Sequence, residues 1–301
     1  MSTLSEAEAA ACPAPARAVL ADYIGGKVSA EIALMHLLLA TGGLAQLQSC
    51  LQTLASTGRE PFLRLAQLAS EHTDGLAKAA GLVEAGLTGA YGADLLAATR
   101  EQYDRAVALA PEAAVALYSL GDPAILDRAT SELVALLDDW GLLGTDRVAL
   151  DIGCGIGRIE RALATRLRHI TGIDLSPAMI AEAKRRSAGV ANIDFLLCNG
   201  RELPQFSAPF DLILAIDSFP CMVAAAAEIA ERNFRNAARL LQPGGTLAIF
   251  NYSYRGSLAA DRAEIAAHAR AAGLRVLRDG TRDLALWDGT SFLLSAPPRH
   301  E

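Results

Sequence analysis

The sequence predicts an α/β protein in which a mostly parallel sheet, covered by helices on both faces, follows an all-helical N-terminal region. Three observations carry this. The first third is rich in Ala and Leu and repeats apolar residues at helical spacing, with no run of β-branched residues. From Gly141 onward, short apolar runs alternate with helical stretches, the pattern of strand–helix–strand units. The last two runs lie too close together for another crossover, so they read as an antiparallel hairpin at the sheet edge.

In the helical region, Ser29 caps "AEIALMHLLLA", which stops before Gly42. The stretch "LAQLQSCLQTLA" places Leu44, Leu47, Leu51 and Leu54 on one face. Pro61 sits in a first turn, and Pro111 stops the helix that begins at Asp94. Asp122-Pro123 then opens a helix that runs to Gly141. The expected division is a helical domain or lid over 1–122 and a sheet domain over 123–301. The strands expected in the sheet are "VALDIG", "ITGID", "IDFLLC", "FDLILAID", "TLAIFNY", "RVLRDG" and "FLLSA".

The chain is 301 residues long, enough to bury a full core. Its net charge of −7 argues against a broad basic surface for nucleic acid or anionic lipid. The five cysteines form no C-x-x-C pair and no ligand-like cluster with His, so no metal site is expected. Met1 to Ala9 is acidic and polar, without the basic start of a signal peptide. A reduced, cytoplasmic chain is the expectation. Ile32 to Gly58 lacks any Asp, Glu, Lys or Arg, but Gly42-Gly43 and the glutamines after it favour two packed helices over a membrane span.

The most informative stretch is "LDIGCGIGR", residues 150–158. A strand delivers Asp151, a glycine turn follows, and "IGRIERALATRL" opens a helix. Glycine permits positive φ and lets a ligand touch the backbone, while the helix start aims N–H groups past the strand end. A nucleotide-like ligand is therefore expected at the carboxyl ends of the strands. The spacing is G-x-G-x-G; the dinucleotide fingerprint wants its third glycine where Arg158 stands, which disfavours an NAD-dependent oxidoreductase.

From Leu150 onward the chain resembles the class I S-adenosylmethionine-dependent methyltransferases. The resemblance rests on "LDIGCGIGR", "GIDLSPAMI", "CNGRELP", "FDLILAIDSFP" and "LLQPGGTLAIF", in that order. It implies a Rossmann-like sheet of seven strands with the last antiparallel, and S-adenosylmethionine as cofactor. Asp174 would accept from both ribose hydroxyls, and Leu175 and Met179 would pack on adenine. Asn199 stands where the family usually has Asp, and Gly200 would offer its backbone to the adenine edge. Gly153, Cys154, Gly155 and Gly157 would form the turn around the methionine portion, Cys154 as a small side chain that fits, with Asp151 near the methionyl ammonium. Asp217 would face the sulfonium.

The resemblance implies methyl transfer by in-line displacement to an oxygen, nitrogen or carbon nucleophile of a small-molecule metabolite. Positioning can supply about 7–11 kcal/mol of such a barrier. A base is needed only for a protonated acceptor; Asp217 and a tyrosine at 118, 252 or 254 are the candidates. Asp217-Ser218-Phe219-Pro220 lacks the pattern of amino-methyltransferases acting on nucleic acid. The rival reading is a non-catalytic S-adenosylmethionine-binding sensor or assembly protein that docks through its helical domain. The sequence leaves oligomeric state open, a homodimer included.

Overall fold

The computed structural model describes residues 4–88 and 94–298; residues 1–3, part of the polar start, lie outside that range. The described chain divides into two compact units. One comprises 4–88, 105–132 and 284–288; the other comprises 94–104, 133–283 and 289–298. In this division residues 94–104 group with the sheet, and 284–288 with the helices.

The first unit holds α1 (Glu6–Ala11), α2 (Arg17–Ile24), α3 (Ala30–Thr41), α4 (Leu44–Ala55), α5 (Glu60–Glu71) and α6 (Thr73–Glu84). It also takes the end of α7 (Leu95–Leu109), all of α8 (Pro111–Val115) and the start of α9 (Pro123–Asp139). Capping decides the boundaries. Ser29 Oγ accepts from the Ile32 amide at 3.2 Å, and Gly42, in the left-handed region, closes α3. Pro111 both ends α7 and opens α8, because its missing N–H costs nothing in a first turn. Asp122 Oδ1 accepts from the Ala124 amide at 2.7 Å ahead of α9. The core draws on Leu34, Leu37, Leu47, Leu51, Leu54 and Phe62.

The second unit is built on a seven-stranded sheet: β1 (Gly144–Ile152), β2 (Leu167–Asp174), β3 (Ile193–Leu197), β4 (Phe210–Ile216), β5 (Leu241–Phe250), β6 (Arg275–Thr281) and β7 (Ser291–Ser295). Their order is β3-β2-β1-β4-β5-β7-β6. The pairs from β3 to β5 are parallel, and β7 runs antiparallel to both β5 and β6. The helices between are α10 (Arg158–Leu163), α11 (Pro177–Arg186), α12 (Phe219–Ala225), α13 (Ala227–Leu240) and α14 (Leu258–Ala272). Leu150, Ile213, Phe234, Leu247, Ile249 and Phe292 form part of the core. The strand order reverses between β1 and β4, which opens a crevice at their carboxyl ends.

Candidate active site

The chain beyond β1 makes three left-handed glycines: Gly153 (φ 82), Gly155 (φ 54) and Gly157 (φ 73). The first and last are also sterically required. A Cβ on Gly153 would lie 2.5 Å from Ser218 Cβ, and one on Gly157 2.7 Å from Phe195 Cζ. Gly157 thus lets the turn pack closely against β3 and α11. Cys154 is buried in a small cluster with Ile180, Ala183 and Phe195, so its thiol lies beneath the turn.

The tips of β1 and β2 are tied together. Asp174 Oδ2 accepts from the Gly155 amide at 3.0 Å, and Oδ1 from the Ser176 amide at 2.8 Å. A carboxylate has about four lone-pair sites, so these amides do not exhaust it. Burial pushes the Asp174 carboxyl up, while the three backbone amides beside it pull it back. Ser176 caps α11 through the Met179 amide and donates to Asp104 of α7 at 2.5 Å. Met179 is buried in the same helix. Leu175 and Leu96 flank Gly200, whose built Cβ would meet them at 3.7 and 3.5 Å. Asn199 is exposed, and its Oδ1 is spent on the Arg201 and Glu202 amides at 2.9 and 3.1 Å; only its amide nitrogen is left to meet a base edge.

A second group gathers where β4 and β5 end. Asp217 and Asn251 both adopt positive φ, 60° and 64°, which short polar side chains tolerate. Asn251 Nδ2 donates to Asp217 Oδ1 at 2.8 Å, and the Tyr254 hydroxyl donates to Asp217 Oδ2 at 2.5 Å. Tyr254 is 72% exposed, and crowding around its hydroxyl, then the Asp217 charge, push the phenol up. Tyr103 of α7 meets Cys221 at 3.9 Å, and its phenol is pushed up by Cys221, by burial and by Asp217. Burial, then Asp217, pushes the Cys221 thiol up to about 11.

Tyr252 is in the apolar core, stacked on Phe219 at 5.5 Å between centroids. Tyr118 belongs to the first unit and stacks on Trp287 of the same unit at 6.1 Å. Residues 284–288, between β6 and β7 in the chain, group with the first unit.

Beneath the glycine turn lies a group that sequence reasoning missed. Asp151 (1% exposed) and Glu160 of α10 (0%) have carboxyls within hydrogen-bonding reach of each other. Among the described residues no N–H or O–H makes a well-formed hydrogen bond to Glu160 Oε1, Glu160 Oε2 or Asp151 Oδ1. Burial pushes Asp151 up to about 7, and burial followed by the Asp151 charge pushes Glu160 well above the usual range. Gly172 of β2 makes the room: a Cβ there would sit within 2.3 Å of Glu160 Oε1. The available signal was an acid on the inward side of a short helix paired with a mid-strand glycine. Among the described residues no group of three or more His, Cys, Asp or Glu is placed to hold a metal ion, and no helix is long and apolar enough to cross a membrane.

Residues 149–245 match a family model described as a methyltransferase domain. The demethylmenaquinone methyltransferase of Tropheryma whipplei is 36% identical over 112 residues, covering 35% of this chain and 41% of that protein. The 27-O-demethylrifamycin SV methyltransferase of Amycolatopsis mediterranei is 34% identical over 136 residues, covering 44% and 48%. The chain thus spans less than half the length of these curated relatives. Among solved structures, phosphoethanolamine N-methyltransferase 1 of Haemonchus contortus shares the fold, with a TM-score of 0.51 at 15% identity over 69% of this chain and 50% of that one. Residues 149–245 are thus similar to a methyltransferase domain, set in a seven-stranded sheet whose β7 runs antiparallel to its neighbours.

Proposed function

We propose that the protein transfers a methyl group from S-adenosylmethionine to a small-molecule metabolite. One observation carries the reading: the glycine turn and the Asp174 carboxylate meet at 3.0 Å, so both ends of an adenosyl amino acid face one crevice. The residues fit the donor. Asp174 keeps lone-pair capacity for the ribose hydroxyls, Leu175 and Gly200 lie beside one another near the place expected of adenine, and Asp151 holds a buried oxygen without a donor beneath the turn. When bound, S-adenosylmethionine supplies a methyl already activated by the sulfonium charge.

The chain's own contribution at the acceptor end is the Asp217 group. Asn251 and Tyr254 orient its carboxylate, which can take a proton from an incoming O–H or N–H once Tyr254 yields its hydrogen bond. The two left-handed residues that present this carboxylate are the kind of local strain found at working sites. Relatives named for demethylmenaquinone and demethylrifamycin support a small-molecule acceptor, and the net charge of −7 speaks against nucleic acid. The test is calorimetry with S-adenosylhomocysteine, then incubation with labelled donor and a metabolite extract. Saturable binding and a labelled product are expected. Binding without any labelled product would favour a sensor, and binding of NAD alone would end the reading.

A further inference from the structure

Two buried carboxyls side by side cannot both ionise in a low-dielectric site without a cation bonded between them. Asp151 and Glu160 are in that position. The charged groups facing them are Arg158 of α10, which favours ionisation of both, and Asp174 of β2, which opposes that of Asp151; Cys154 brings only a thiol that burial keeps neutral. One proton must therefore stay on the pair. Glu160 is its holder, because it is the more deeply enclosed: both of its oxygens lack any other donor, and Gly172 and Cys154 wall its niche. As a carboxylic acid it gains a donor, and Asp151 gains the one it lacks.

We propose that Glu160 is a positioning residue: kept as the neutral acid, it donates its O–H to Asp151 and holds that carboxylate as the anchor for the cationic amino group of the methyl donor. The proposal rests on the donor site described above. It predicts that a neutral donor of the same shape replaces Glu160, whereas a truncated side chain does not. An anionic Glu160 would behave in the opposite way, and a space-filling role would not distinguish charge states at all.

The experiment uses the full chain with S-adenosylhomocysteine as the probe, titrated calorimetrically into wild type, Glu160→Gln and Glu160→Ala, with melting curves for each. Glu160→Gln is expected to bind within about threefold of wild type, and Glu160→Ala about tenfold or more weaker, since a buried carboxylate loses its donor. Infrared difference spectra at about pH 8, above the range in which Asp151 takes up its proton, should show a protonated carboxylic acid in wild type that is absent from Glu160→Gln. Equal weakening in both variants, or no acid band in wild type, overturns the proposal. Should Glu160→Ala fail to fold, Glu160→Gln and the band still decide. If wild type itself does not bind S-adenosylhomocysteine, the donor-site reading fails, and the band alone reports on the shared proton.

Discussion

Asp174→Ala is the sharpest perturbation of the proposed donor site. The carboxylate accepts from Gly155 at 3.0 Å and from Ser176 at 2.8 Å. Hydrogen bonds to a charged acceptor contribute about 1.5–3 kcal/mol each, so removing two bears on about 3–6 kcal/mol. The carboxylate is itself costly to bury, which is why its pKa is raised, and that offsets part of the loss. A net destabilisation of about 2–4 kcal/mol is expected, within the stability of an ordinary domain. On the proposed site, donor binding loses its ribose contacts as well, at about 1.4 kcal/mol per decade, so S-adenosylhomocysteine should bind about 10–100-fold more weakly or worse. Urea denaturation and calorimetry read the two effects separately. Asp174→Asn keeps one acceptor and sets an amide N–H against a backbone N–H, so it should fall between. A folded Asp174→Ala protein with wild-type affinity would refute the assignment of the ribose to this residue.

Tyr254→Phe removes the hydroxyl that holds Asp217 while leaving an exposed ring. It should keep the melting temperature and donor affinity yet slow transfer from labelled donor by about 10–100-fold, whereas Tyr252→Phe, altered in the core, should leave the rate alone. Gly172→Ala places a methyl within 2.3 Å of Glu160 Oε1 and 2.7 Å of Cys154 Cβ. A loss of about 1–3 kcal/mol is expected by urea denaturation, relieved in part by a second change, Glu160→Ala; a Gly172→Ala protein as stable as wild type would contradict the niche. The pH dependence follows from Asp151, whose folded-state value lies above its unfolded one. Its contribution to stability is full below about pH 4 and is lost as pH rises through about 7, because the folded state holds the extra proton in between. Denaturation midpoints of the donor-free protein, measured across that window, should fall with rising pH; a rising midpoint would reverse the reasoning.

The elements whose logic is local were legible. Ser29 and Ser176 cap the helices they precede, as expected of hydroxyl side chains before an apolar period. The seven apolar runs became the seven strands because each is bounded by turn residues and long enough to cross a buried sheet. Asp151, the glycines and Asp174 converge because parallel strands place their carboxyl ends together. Pairings across many residues were not legible. That Asp104 would reach Ser176, that Tyr103 would meet Cys221, and that Tyr254 rather than Tyr252 would turn toward Asp217 all depend on where helices and loops settle.

Sequence alone determined the class of fold, the motif order and the residues at the strand tips, because glycine, proline and apolar periodicity act over a few neighbours. Tertiary structure alone decided which polar groups lost water and which partners they found. A carboxyl such as that of Glu160 becomes chemically distinctive only once Gly172 and Asp151 close around it, and no local pattern encodes that enclosure.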